Sequence, residues 1–164
     1  MRSNGSIYVS SVFALLAFYF AYQWWFNPSR AVKRQMGEIA AALSVPPAES
    51  DVARLSRLAQ LRRYLADDLR VRAGTAELAS RDKVFAVLNA LKPPAGIDVR
   101  FVDTQVFIDS DVAARSYMSV EIATPTQGVR QPTIDRLDTS VRLEKRNGQW
   151  LVTNAEAKEP RPVQ

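Results

Sequence analysis

The stretch YLADDLRV, residues 64–71, lies near the middle of a chain of 164 residues. It sets a tyrosine beside two adjacent carboxylates and then alternates apolar and basic side chains. Tyrosine and aspartate are proton-transfer groups. The same residues also close helices and open strands, because an aspartate oxygen satisfies backbone N–H groups in a turn. The residues before the stretch favour the second reading. Leu55, Leu58, Leu61, Leu65 and Leu69 recur at helical spacing, which predicts a helix with Ser50 as its cap and Asp51 in its first turn. Residues 69–72 then read as a short strand. On this reading YLADDLRV closes a helix and launches a strand, and Asp67 and Asp68 serve the junction.

Upstream, Asn27-Pro28 reads as an N-cap followed by proline at the first helical position. Val32, Met36, Ile39 and Leu43 share one helical face, and SVPPAES (44–50) stops that helix, since paired prolines cannot continue it. Arg62 falls inside the apolar stripe of the next helix. It either snorkels to the rim or partners a buried carboxylate. Arg54, Arg57 and Arg63 read as a solvated face. Downstream, Ser80 caps a third helix, RDKVFAVLNALK, with Val84, Leu88 and Leu91 on one side. Four strand-like runs follow, over 97–109, 112–124, 133–146 and 149–158, and Asn147-Gly148 between the last two is a hairpin signal. In the third run Leu137, Val141 and Leu143 share a face with Thr139, while Asp138, Arg142 and Glu144 point the other way, as in a sheet buried on one side. The order predicts an α+β fold: three helices packed on a curved antiparallel four-stranded sheet, preceded by one transmembrane helix.

That last element rests on residues 7–26, IYVSSVFALLAFYFAYQWWF, twenty residues without a charge. At helical rise they span about 30 Å, a bilayer core. Tyr22, Trp24 and Trp25, with Tyr19, crowd its C-terminal end as an interfacial belt would. Arg30, Lys33 and Arg34 follow within reach of lipid headgroups. A cleaved signal peptide fits less well, because the segment is long and ends in bulky aromatics instead of small residues. The expected layout is a tail over 1–6, an anchor over 7–26, a domain over 27–158 and a loose tail over 159–164. The expected place is a bacterial inner membrane, crossed once. The basic flank favours a cytoplasmic domain and the short N-terminal tail an exported one, so orientation stays open.

Net charge is +5, and it is +4 without the first 26 residues, whose only charged side chain is Arg2. That is mildly basic and unlike the concentrated charge of a nucleic-acid binder. There is no cysteine and no histidine. Thiol chemistry, His-dependent nucleophiles and the commonest metal ligand are therefore absent. No phosphate loop or zinc spacing occurs, and Asp109 and Asp111 fall short of a calcium loop. No metal and no cofactor is expected.

The motifs YLADDLRVRAG, SRDKVFAVL and NGQWLV, in this order, resemble the nuclear transport factor 2-like superfamily, which includes ketosteroid isomerase and the polyketide cyclases. The resemblance covers residues 30–158. It implies a cone in which helices line a curved sheet, and dimerisation through the sheet in many members. It also implies that an isomerase would carry its catalytic acid at or beside Ala73, where alanine cannot take a proton. No catalytic residue is therefore assigned. In layout the chain further resembles the inner-membrane scaffold proteins of type IV secretion, with one anchor and a domain of this fold.

Arg62, Asp103, Tyr117 and Glu121 are the candidate polar residues of a cone pocket, where a desolvated carboxylate would act as acid or base. The plainer reading of Asp103, Tyr117 and Glu121 is as solvent-facing strand positions or as partners of Arg62, Arg100 and Arg115. Trp150 reads as core. The expected function is a membrane-anchored, non-enzymatic interaction or scaffold module. Its expected partners are the lipid bilayer and a protein or second copy on the sheet face, with no nucleic acid. The alternative is a tethered pocket protein, an isomerase, lyase or carrier. Lipid-surface sensing through Arg30, Lys33, Arg34 and the second helix is compatible with either.

Overall fold

The computed structural model describes residues 14–19, 27–91, 93–126, 128 and 131–158. Helix α1 (Pro28–Leu43) and helix α2 (Asp51–Arg62) are followed by strand β1 (Leu65–Ala73), strand β2 (Ala76–Ala79) and helix α3 (Arg81–Ala90). Four long strands complete the chain: β3 (Asp98–Ser110), β4 (Ala113–Thr124), β5 (Thr133–Arg146) and β6 (Gln149–Lys158).

The local signals for the helix starts hold. Asn27 accepts from Ser29 N at 3.0 Å, Ser50 from Ala53 N at 3.2 Å and Ser80 from Lys83 N at 3.4 Å, each occupying one orphan N–H of a first turn. The β5–β6 turn is the one its sequence asks for. Asn147 and Gly148 both take positive φ, 51° and 80°, as the two-residue hairpin that matches strand twist requires.

The sheet differs from expectation in two ways. It has six strands, not four, in the order β2-β1-β6-β5-β4-β3. It is mixed, because β1 pairs with β6 in parallel while every other pair is antiparallel. The short strand expected over 69–72 is a nine-residue strand that folds back on β2. The physical reason lies in leucine spacing. Leu61, Leu65 and Leu69 stand four apart, which is close to one helical turn and also an even number of strand positions, so the same leucines satisfy both periods. The chain leaves the helix at Arg62 and keeps burying Leu65 and Leu69 from a strand. Leu55, the first of the expected helical stripe, is exposed.

All three helices pack on one face of the curved sheet. Val32, Met36 and Ile39 of α1, Leu58 and Leu61 of α2 and Phe85 of α3 meet Leu65, Leu69, Met118, Leu143, Trp150 and Val152 in one core. Trp150 is buried, as expected, and its carbonyl accepts from Gln35 Nε2 of α1. On α3 the buried residue is Phe85, with Val84 and Leu88 partly buried and Leu91 exposed.

Among the described residues no helix is long and apolar enough to cross a membrane. Of the span expected over 7–26, residues 14–19 are described. They are helical, and their side chains are exposed. The rest of that span lies outside the described residues, with Tyr22, Trp24 and Trp25, and so does the tail over 159–164. Lys33 and Arg34 stand on the exposed side of the first turns of α1 and Arg30 just ahead of them.

Candidate interaction surface

Tyr64, Asp67 and Asp68 of YLADDLRV hold the layers together. Tyr64 OH donates to Glu38 of α1, and the Tyr64 carbonyl accepts from Val152 N of β6 at 2.8 Å. Asp67 pairs with Arg81, the first residue of α3, whose Nη1 also donates to the Leu65 carbonyl at 3.1 Å. Asp68 takes both Arg146 guanidinium nitrogens, at 2.7 and 2.9 Å. That bidentate pair holds the Asp68 carboxyl below its ordinary range. The two carboxylates therefore go to different partners, one on a helix and one on β5. Ala73 stands at the end of β1, opposite Ala76 and Ala157.

A second polar clasp was missed by helical-wheel reasoning. Arg57 is not a solvated residue. Its Nε and Nη2 donate to Glu49 at 2.7 and 3.1 Å, and its Nη1 to the Ala42 carbonyl at 2.7 Å. The side chains are only 15% and 9% exposed. Arg57 holds Glu49 below its ordinary range, against the opposing effect of burial. The sequence signal was Glu49 just ahead of the cap, eight residues from Arg57.

The four candidate pocket residues do not converge inside the cone. Arg62 is exposed, pairs with Asp82 at 2.8 Å and lies over the Phe85 ring at 5.7 Å. Glu121 pairs across the strands with Arg136 at 2.6 Å. Asp103 and Tyr117 do come together, on the opposite face of the sheet. Between helices and sheet lies the apolar core, and the buried polar side chain among the described residues is Ser116, whose hydroxyl donates to the Gln105 carbonyl at 3.2 Å.

Strand alternation assigns the outer face. Ala114, Ser116, Met118 and Val120 of β4 turn inward, so Arg115, Tyr117, Ser119 and Glu121 turn outward. On β5 the outward set is Arg136, Asp138, Ser140, Arg142 and Glu144. No described helix covers this face. It bears a groove of about 660 Å³ lined by Asp103, Gln105, Tyr117, Arg136, Asp138 and Lys158, among others. A hollow of about 290 Å³ lies between Arg115, Arg142 and Glu144. Asp103 takes φ of 52° where the β3–β4 register slips, a bulge that breaks the regular edge of β3. Tyr117 and Phe107 stand half-exposed and edge to face, with ring centroids 5.9 Å apart. Arg115 grips Asp109 through Nε and Nη2, at 2.8 and 2.7 Å, and holds that carboxyl below its ordinary range.

No protein-family model and no curated protein matches the chain in sequence. Solved structures do. The chain is similar to the association domain of CaMKII from C. elegans (TM-score 0.65, 10% identity, covering 80% of this chain and 95% of that one). It is similar to a candidate scytalone dehydratase from Novosphingobium aromaticivorans (0.66, 17%, 80% and 83%). It is also similar to a nuclear transport factor 2-like protein of Pseudomonas putida (0.62, 12%, 82% and 87%). At such identities the likeness shows the fold alone. The fold is the nuclear transport factor 2-like cone, as the resemblance of the three motifs implied.

Proposed function

We propose that this chain is an interaction module, not an enzyme, and that it docks a protein through the outer face of its sheet while residues 7–26 hold it beside a lipid bilayer. One observation carries the reading: polar and aromatic side chains gather on the outer face, which no described helix covers, while the buried side chains between helices and sheet are apolar, Leu, Met, Phe and Trp among them. An interior site of this fold needs an ionisable group facing a cavity, and Arg62, Asp103, Tyr117 and Glu121 lie elsewhere. The C. elegans domain, named for association, makes assembly a natural use of the same fold. The anchor rests on the uncharged run of twenty residues, and Arg30, Lys33 and Arg34 at the start of α1 suit anionic headgroups. The compartment that follows is a bacterial inner membrane.

The test uses the full chain in detergent. Replacing Tyr117 and Phe107 together by alanine should abolish protein association measured by light scattering and leave Tm nearly unchanged. An unchanged association state would sink the docking reading. Sodium carbonate extraction of membranes tests the anchor, which predicts retention in the pellet. Protease access to the domain in intact and opened cells reports its side.

A second reading has one observation of its own. The 660 Å³ groove has the size of a small-molecule site, and one similar structure is named as a candidate dehydratase. A tethered pocket protein would bind a small ligand there, and Asp103→Asn would then weaken ligand binding while leaving association intact.

A further inference from the structure

We propose that the outer side of the helical layer lies on the bilayer, as a docking face for an anionic lipid surface. The proposal rests on the anchor in the reading above and says which side of the domain that anchor holds down.

All three helices pack on one face of the sheet, so each has a stripe turned away from the core. On α1 that stripe holds Arg30, Lys33 and Arg34. On α2 it holds Val52, Leu55 and Arg63, and on α3 Lys83 and Val87, with Leu91 at the C-cap.

Charge separates this side from the rest of the domain. Residues 28–63 and 81–91, the helices and the loop between the first two, carry nine basic and four acidic side chains. Residues 64–80 and 92–158, the strands and their connections, carry eleven basic and twelve acidic ones. The positive balance of the domain therefore comes from the helical segments. Three of their four carboxylates are taken, Glu38 by Tyr64, Glu49 by Arg57 and Asp82 by Arg62. Lys33, Arg34 and Lys83 make no ion pair with a described carboxylate.

Exposed aliphatics are the second feature. Val52, Leu55, Val87 and Leu91 are 77%, 67%, 40% and 56% exposed. Arg54 Nη2 donates to the Asn89 carbonyl at 3.1 Å and Arg62 Nη2 to Asp82 at 2.8 Å, so α2 and α3 run antiparallel. Val52 and Leu55 flank Arg54, and Val87 and Leu91 flank Asn89, which gathers the four around one contact. Cations for phosphates beside aliphatics for the acyl boundary are the two ingredients of an interfacial helical surface.

The tether says what covers it. Residue 26 ends the uncharged run, and Asn27 already caps α1. A domain tied that closely to a bilayer turns one side toward it. The strands offer no positive balance, and the helical side offers both ingredients. Arg57 Nη1 donates to the Ala42 carbonyl in the last turn of α1, so α2 returns beside the end of α1. The aliphatic cluster thus lies about 24 Å from the tether, the length of a 16-residue helix. With the helices down, the outer face of the sheet points away from lipid and stays open to a protein.

The experiment uses the full chain in vesicles of phosphatidylcholine and phosphatidylglycerol in equal parts. The chain has no cysteine, so Leu55→Cys and Val87→Cys each give one thiol for a polarity-sensitive fluorophore. Ile134→Cys, exposed on the outer face of β5, is the reference. Lipids brominated in the acyl chain quench on contact. Labels at 55 and 87 should be blue-shifted and quenched about twofold or more beyond the label at 134, because an interfacial helix sinks its apolar side into the acyl boundary. Lys33→Glu with Lys83→Glu should reduce that quenching and leave carbonate retention unchanged. Equal quenching at all three sites, or stronger quenching at 134, overturns the assignment of the face. Equal quenching at 55 in phosphatidylcholine alone overturns the anionic requirement. A blue shift at 55 without quenching marks a protein contact and overturns the lipid. A chain retained by the vesicles with no quenching at 55 or 87 overturns the docking face and leaves the anchor standing. A chain that carbonate removes from the vesicles ends both.

Discussion

On the inner face of β4 and β5, Ala114, Ser116, Met118, Val141 and Leu143 are buried under three helices. One position along on the same strands, Arg115, Tyr117, Asp138 and Arg142 are exposed on a face that no described helix covers. The inner face gains its energy from removing apolar surface from water. The outer face has little of that to gain. It holds charges and two half-exposed rings, whose value depends on what meets them. The inner face therefore makes the fold, and the outer face contributes little to it.

The comparison is broken or sharpened by substitution, beginning with the largest effect. Leu143→Ala should cost about 2–5 kcal/mol of folding stability, the range for deleting a buried leucine, measured by chemical denaturation. Tyr117→Ala, outward on the neighbouring strand, should cost less than about 1 kcal/mol in the monomer. Equal costs on the two faces would refute the division. Arg57→Ala comes next. It leaves the Glu49 carboxylate and the Ala42 carbonyl without their donor, at about 1–3 kcal/mol. Differential denaturation against Arg63→Ala, an exposed neighbour, provides the reference.

Tyr64→Phe removes the bond to Glu38 that ties α1 to the helix–strand junction and should cost about 1 kcal/mol. The carboxylate holds the Tyr64 phenol above its usual ionisation range. A raised value contributes stability that is present below about pH 10 and is lost as pH rises through the folded value. The Phe variant should therefore lose less stability than the parent on alkaline titration. The smallest effect is on the acid side. Glu49 and Asp68 are both held below their ordinary range, by Arg57 and Arg146. Lowered carboxyls stabilise above their unfolded values, near pH 4, and lose that contribution as pH falls through the folded ones. Tm should drop below about pH 4, and Glu49→Gln should flatten the drop. Asp68 adds less, because its side chain is 62% exposed and water screens the pair.

Much of the fold was legible. Caps and prolines mark the helix starts, because those signals act within four residues. The outward and inward sets of β5 follow from alternation alone. The candidate site was less legible. Asp103, Tyr117 and Glu121 were placed on strands as expected, but which face is inside depends on where the helices pack. Asp103 stands in a bulge that no spacing rule announces. Arg62 looked like a stripe residue because four-residue spacing carries the leucine pattern past the end of the helix.

The sequence by itself determined the three helix starts, the order of the four long strands and the two faces of β5, since these depend on neighbours along the chain. Only the tertiary structure decided that β1 runs parallel to β6, that Leu65 and Leu69 fill the core from a strand, and that Asp67 and Asp68 answer to Arg81 and Arg146. Those outcomes depend on residue pairs as far as 87 positions apart, such as Leu65 and Val152. It also set Arg142 beside Arg115 across a strand pair, because register, unlike alternation, is chosen by the whole sheet at once.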